Sequence, residues 1–168
     1  GHGIILQSFV RAVLDLALDR DKLVVVSGIG CSSRAVGYLD FDTLHTAHGR
    51  SVPFATGIKM AKPEFNVVAL VGDGDISAIG GNHLIHAARR NIDITVVVFN
   101  NYNYGMTGGQ NSPTTPIDSY TPTTQYGNIE KPFDLCALAE AAGATYIARS
   151  TTYHAVGLPK LIADGITH

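Results

Sequence analysis

Two apolar, β-branched runs constrain this chain most. Residues 67–71 close on Gly72-Asp73-Gly74-Asp75, and residues 94–99 close on Asn100-Asn101-Tyr102-Asn103. One helix-length stretch, residues 76–90, separates them. A strand, a helix and a strand in that order form a crossover unit whose strands run parallel. The residues after each run therefore emerge on the same edge of the sheet. Ligands of open α/β sheets bind outside that carboxyl edge. It receives a carboxylate from one turn and carboxamides from the other, oxygen donors that suit Mg²⁺ bridged to phosphate. Gly on both sides of Asp73 lets backbone approach a phosphate, and the following helix aims its N-terminus at the same place. The competing reading is a tight turn whose Asp caps the helix. The Asn cluster at the end of the next run weighs against it.

Composition narrows the class. The 168 residues are 45% hydrophobic and 15% charged, which fits one α/β domain with a sizeable core. Low charge together with 18 Gly suggests a surface partly covered by partner chains. A net charge of −2 gives no argument for nucleic acid or an anionic membrane. No run reaches membrane-span length and no signal peptide is visible. Two cysteines, Cys31 and Cys136, make no disulfide framework, so a reducing cytoplasm is expected. The chain opens on Gly1-His2-Gly3 directly before an amphipathic helix. It stops at Thr167-His168, where the alternation calls for another strand. The expectation is a single domain over 1–168, part of a longer subunit; the alternative is a trimmed protein of complete architecture.

Along the chain, the spacing predicts a helix over 4–18, a buried strand over 23–26 and a turn over 28–33. Ser32 or Ser33 is placed to cap a short helix toward Tyr38. A helix follows over 53–61, with Pro53 in its first turn. Then come strand 67–71, helix 76–90 and strand 92–99. Residues 100–131 form a Gly/Pro/Thr/Asn-rich loop, long enough to be functional or disordered. Helix 132–142 ends at Gly143, strand 145–148 follows, and a last helix covers about 153–163. The pattern is a doubly wound, mostly parallel α/β sheet.

Other motifs leave alternatives open. Gly28-Ile29-Gly30-Cys31-Ser32-Ser33 imitates a dinucleotide fingerprint without its third Gly, and Asp42 lies at a tolerable distance for a ribose carboxylate. A nicotinamide dehydrogenase therefore stays in play. Cys31 reads as a thiolate ligand or a small buried residue, and Cys136 as a buried one. His45 and His48 with Gly49-Arg50 read as a polar cofactor contact or surface turn sooner than a zinc fragment. His83 and His86 are expected to be solvated or interfacial, and Arg89-Arg90 to favour a helix C-terminus. In the loop after the third strand, Thr107 and free N–H groups suit phosphate. Tyr102, Tyr104 and Met106 argue against a plain surface loop.

The spacing of Gly72-Asp73-Gly74 and Asn100-Asn101 resembles the thiamine-diphosphate motif. Four strings together resemble the β subunits of 2-oxoacid:ferredoxin oxidoreductases, of the 2-oxoglutarate type, from residue 1 to at least 131. They are Gly28-Ile29-Gly30-Cys31-Ser32-Ser33-Arg34, His48-Gly49-Arg50, Gly72-Asp73-Gly74-Asp75 and Tyr104-Gly105-Met106-Thr107-Gly108-Gly109-Gln110. The resemblance implies the pyrophosphate-type domain of a thiamine-diphosphate fold. An α subunit would carry the pyrimidine-binding domain and the activating glutamate. It implies Mg²⁺ on the side chains of Asp73 and Asn101 and the carbonyl of Asn103. Gly72, Gly74, Asp75, Gly105, Met106 and Thr107 would line the diphosphate or thiazolium. Ile29, Gly30, Cys31 and Ser32 would contact the cofactor from the first loop, and His48 from the second. Arg34 and Met106 fall where the family chooses its 2-oxoacid.

The family's 4Fe–4S cluster would take Cys31 as one ligand. It needs more thiolates than this stretch carries. The implied activity is CoA-dependent oxidative decarboxylation by a cytoplasmic hetero-oligomer that passes electrons to ferredoxin. The alternatives are a non-oxidative thiamine-diphosphate decarboxylase or synthase, an NAD-binding dehydrogenase, and a non-catalytic interaction subunit.

Overall fold

The computed structural model describes residues 1–168. Three short runs rich in Val and Leu pair side by side because each is largely apolar on both faces, as strands between two helical layers must be. They are β1 (Leu23–Ser27), β3 (Asn66–Gly72) and β4 (Thr95–Phe99), and the polar β2 (Asp42–His45) joins them at one edge. All pairings are parallel, in the order β2-β1-β3-β4.

Alternate residues feed two cores. Leu23, Val25, Val68, Leu70 and Phe99 face α1 (His2–Asp15) and α5 (Leu158–Thr167), meeting Phe9, Ala12, Val13 and Ile162. Val26, Val67, Ala69 and Val71 face the other way. They meet Val52 and Ala55 of α2 (Ser51–Ala61), Ile76, and the inner face of α3 (Gly81–Arg89). The sheet is doubly wound, as the alternation predicts. No helix is long and apolar enough to cross a membrane.

The strand order creates the site. The chain leaves β1 toward β2 on one side and toward β3 and β4 on the other, so the switch point lies between the carboxyl ends of β1 and β3. The turns after those strands are Gly28–Ser33 and Gly72–Asp75 by residue number, the two Gly-rich motifs of the sequence.

Several elements differ from expectation. β2 was not foreseen: its residues are largely exposed at the sheet edge, so no apolar run announces it. The helix expected over 76–90 is divided. Residues Asp75–Ile79 form a wide turn in which Gly80 N–H donates to Asp75 O at 3.1 Å, and α3 begins after it. Asp75 is held at the carboxyl edge by other loops, and Gly80-Gly81 allows the break. Neither Ser32 nor Ser33 caps the short helical turn Ser33–Tyr38 with its side chain.

Residues 145–148 are not a strand. Their side chains bind elsewhere, Tyr146 OH donating to Leu161 O at 2.9 Å and Thr145 Oγ1 to Asn91 Oδ1 at 3.3 Å. No backbone ladder reaches β4, which is left as the sheet's edge. The helix expected from 132 starts later, as α4 (Leu135–Ala142). Asp134 is its N-cap and accepts from Cys136 N and Ala137 N. The Ala137 N–H and the Arg149 guanidinium hold the Asp134 carboxyl below the usual carboxylate range. Gly143 closes α4 in the left-handed region at φ +98, as expected. Cys136 is half-buried rather than buried, and Arg149 Nε donates to its sulfur at 3.3 Å. The last helix begins and ends later than the sequence pattern indicates, after a short turn at Thr152–His154.

The long loop is ordered by its own bonds. A hairpin of β5 (Asn103–Tyr104) and β6 (Gln110–Asn111) opens it. Buried Asn128 then draws residues 115–130 into a compact turn, its Nδ2 donating to Thr115 O at 2.9 Å and Glu130 O at 3.2 Å.

Candidate functional site

Two buried carboxylates stand at the switch point. Asp73 is 1% exposed and Asp75 2%. A buried charge demands partners, and the two find different ones. Asp73 Oδ2 accepts from Ser112 Oγ at 2.5 Å and Thr114 Oγ1 at 2.6 Å. Its Oδ1 receives only a long contact from Asn101 N, 3.4 Å. That oxygen therefore keeps acceptor capacity. Asn101 lies beside it, with Nδ2 donating to Asn103 Oδ1 at 3.1 Å and its side-chain oxygen bonded to no protein donor. Asn103 Nδ2 returns a bond to Asn101 O at 3.2 Å.

Asp73 Oδ1, the Asn101 amide oxygen and nearby carbonyls make a hard oxygen donor set. This set fits Mg²⁺. No group of three or more His, Cys, Asp or Glu side chains is clustered for a metal. The donors thus suit an ion completed by ligand oxygens, the usual habit of Mg²⁺ on phosphates.

The surroundings stiffen this cradle. Ser77 Oγ donates to Asp73 O at 2.6 Å. Thr115 Oγ1 donates to Tyr102 O at 2.5 Å, and Thr114 Oγ1, whose proton goes to Asp73, lies 3.1 Å from Asn100 Oδ1. Tyr104 OH reaches Gly74 O at 3.4 Å. Burial raises the Tyr104 phenol pKa, with Asp73 and Asp75 adding to it, so the hydroxyl stays a donor. The helical turn Asp75–Ile79 follows directly on Gly74, which makes no side-chain cap bond.

The remaining predicted residues gather on the same edge with different roles. Ile29 N donates to Asp75 Oδ1 at 3.4 Å. Buried Ser32 sets its hydroxyl against Gly72, and exposed Cys31 lies against Gly105. The first loop and the hairpin thus meet. Gly105, Met106 and Thr107 are exposed at the hairpin tip. Thr107 Oγ1 is engaged within its own loop, donating to Gln110 Oε1 at 2.6 Å. His48 binds Asp75 Oδ1 through Nδ1. Arg34 is exposed, folds over the Tyr38 ring at 5.0 Å and has no acidic partner. It stands at the rim and does not join the two carboxylates.

Asp42 is a correction. It is the first residue of β2, paired with Val24 near the amino end of β1. A ribose carboxylate belongs at the opposite, carboxyl end of that strand. His45 occupies that end and is exposed.

The sequence reading missed Ser112, Thr114 and Thr115, whose buried hydroxyls hold Asp73 and the Asn loop. It also missed His2, which packs edge-on against Phe99 at 5.4 Å. Burial lowers the His2 imidazole pKa, opposed by the Asp73 carboxylate. The only signal for the hydroxyls was a Ser-Pro-Thr-Thr tetrapeptide inside a polar loop.

Gly49 is built into this arrangement. Its φ is +70, its N–H donates to Asp75 Oδ1 at 2.7 Å, and an added Cβ would sit 2.8 Å from the backbone nitrogen of Gly80. Gly49→Ala is expected to destabilise the folded subunit by about 2 kcal/mol or more. A lowered urea midpoint with unchanged slope is the readout.

Comparisons with known proteins point to one family. The family model for the thiamine pyrophosphate enzyme, C-terminal TPP binding domain, matches residues 28–168. The 2-oxoglutarate synthase subunit KorB of Archaeoglobus fulgidus is 60% identical over 167 residues, covering 99% of this chain and 62% of that protein. The 2-oxoglutarate oxidoreductase subunit KorB of Mycobacterium tuberculosis is 41% identical over 168 residues, covering 100% of this chain and 45% of that one. Among solved structures, the 2-oxoglutarate:ferredoxin oxidoreductase from Magnetococcus marinus, with 2-oxoglutarate, coenzyme A and succinyl-CoA bound, superposes with a TM-score of 0.97. It is 40% identical, and the match covers 99% of this chain and 57% of that one. The chain spans at most 62% of the length of these relatives.

Proposed function

This chain belongs to the thiamine pyrophosphate enzymes through their C-terminal TPP-binding domain, and we propose that it is the diphosphate-binding part of the β subunit of a 2-oxoglutarate:ferredoxin oxidoreductase. One observation carries the cofactor reading: buried Asp73 keeps one carboxylate oxygen open beside Asn101 at the switch point. The likeness to KorB subunits and to the Magnetococcus marinus enzyme supports the substrate and acceptor.

In this reading Asp73, the Asn101 side chain and the Asn103 carbonyl hold Mg²⁺ against the diphosphate. The Gly72 to Asp75 turn and its helical N–H groups bind the phosphate oxygens. Ile29, Gly30, Ser32, His48 and the Gly105-Met106-Thr107 tip border the thiazolium. When bound, the cofactor supplies carbanion stabilisation for decarboxylating a 2-oxoacid, and the protein supplies position and electrostatics. Cys31 offers one thiolate to a 4Fe–4S cluster completed elsewhere in the full subunit. An α subunit with the pyrimidine-binding domain closes the site. CoA takes the acyl group, and ferredoxin takes the electrons in the cytoplasm. The 168-residue chain by itself is expected to turn over no 2-oxoacid.

The test is 2-oxoglutarate-dependent reduction of ferredoxin by the purified complex. Reduction that requires both CoA and thiamine diphosphate is expected. Release of CO₂ with no electron transfer would favour a non-oxidative decarboxylase, and NAD⁺ reduction without thiamine diphosphate a dehydrogenase.

A further inference from the structure

We propose that Asp75 is a positioning residue: it fixes His48 in the tautomer protonated at Nδ1, so that Nε2 offers its lone pair to the cofactor cleft. The inference rests on the thiamine-diphosphate reading of that cleft. It assigns work to a buried carboxylate that the metal site leaves unused.

Asp75 is 2% exposed, and three donors converge on its Oδ1: Ile29 N–H at 3.4 Å, Gly49 N–H at 2.7 Å, and the His48 ring. Its Oδ2 has no partner at all. Gly28 packs against this carboxylate so closely that any side chain there would collide with it. Asp75 Oδ1 already accepts from two backbone N–H groups, so the ring nitrogen facing the same oxygen is a third donor and carries the proton. In a neutral imidazole the other nitrogen is then the bare acceptor.

The ring is held as well as oriented. Its neighbour Gly49 donates to the same oxygen, which registers the backbone and the side chain of the second loop to one atom. Tyr104 meets the ring edge-on at 6.2 Å, and its hydroxyl reaches Gly74 in the diphosphate turn. The His48 side chain remains 37% exposed, and Nε2 bonds to nothing in the chain. An orphaned buried oxygen is costly, so keeping Asp75 calls for a role beyond stability. The partner that Nε2 fits is a hydrogen-bond donor of the bound cofactor, such as an amino group.

The test uses the complete complex with its partner subunit. Magic-angle-spinning nitrogen NMR on ¹⁵N-histidine-labelled complex reads the tautomer, with His48 assigned through its loss in His48→Gln. Protonated Nδ1 and bare Nε2 are expected, with or without cofactor. In kinetics, Asp75→Ala should lower kcat for 2-oxoglutarate oxidation by about 10- to 100-fold. In a His48→Gln background it should add less than about threefold, because the carboxylate acts through the ring. Asp75→Asn keeps an acceptor oxygen for all three donors and should retain the Nδ1-protonated tautomer. An Nε2-protonated His48 in the native complex would overturn the proposal. Equal losses from Asp75→Ala in both backgrounds would overturn it too, making Asp75 a structural tie between loops. If the cofactor reading itself fails, calorimetry on the native complex shows no thiamine diphosphate binding, a result separate from either of these.

Discussion

Asp73→Ala is expected to weaken thiamine diphosphate binding to the assembled complex by about 100-fold or more and to abolish its dependence on Mg²⁺. The effect is large because the change removes the one carboxylate among the proposed ligands. The companion variant Asp73→Asn separates metal from scaffold. It keeps an oxygen for Ser112 and Thr114, which donate to Oδ2 at 2.5 and 2.6 Å, but loses the charge. Asn is therefore expected to preserve thermal stability while still losing Mg²⁺. Equal metal affinity in Asp73→Asn and the native complex would move the metal elsewhere. Asp73→Ala carries a stability loss as well, since two buried hydroxyls lose their shared acceptor.

Arg34→Ile is expected to lower kcat/KM for 2-oxoglutarate by about 100-fold while changing pyruvate turnover by less than about threefold. Arg34 is an exposed guanidinium at the rim of the switch point, stacked on Tyr38 and bonded to no acid of this chain. A guanidinium can clasp a carboxylate in two parallel hydrogen bonds. 2-Oxoglutarate has a distal carboxylate and pyruvate has none, so only the first substrate should feel the loss. Matched losses on both would assign Arg34 to folding or to a shared step. The 2-oxoglutarate preference would then rest on the likeness to KorB subunits alone. Exposed Met106 is the other proposed specificity contact, and Met106→Ala should change the substrate ratio less, because it removes no charge.

β1, β3 and β4 were legible because each is a short apolar run. A strand covered on both faces leaves that mark whatever its neighbours are. The polar edge was not legible. β2 is polar and exposed, so its hydrogen bonds to β1 identify it and its side chains do not. Residues 145–148 have strand composition, but composition does not say whether a partner edge is taken up. The wide turn at Asp75–Ile79 was hidden because it follows from tertiary bonds to Asp75, whereas the helix propensity of the segment is ordinary.

The site divides in the same way. Asp73 and Asn101 could be placed on one edge from strand ends alone. Ser112 and Thr114 could not, since their burial depends on the fold of the loop that Asn128 gathers. His48 was assigned to the cofactor by resemblance, but its pairing with Asp75 across 27 residues has no local signature. The dinucleotide reading failed on register. Asp42 has the right spacing, and the parallel pairing of β1 with β2 puts it at the wrong end of the strand.

Calorimetric titration of the complete, cofactor-stripped complex with thiamine diphosphate and, separately, with NAD⁺ tests the central claim most directly. The account predicts one thiamine diphosphate bound per copy of this chain, only when Mg²⁺ is present, and no heat from NAD⁺. Saturable NAD⁺ binding without any for thiamine diphosphate would contradict it.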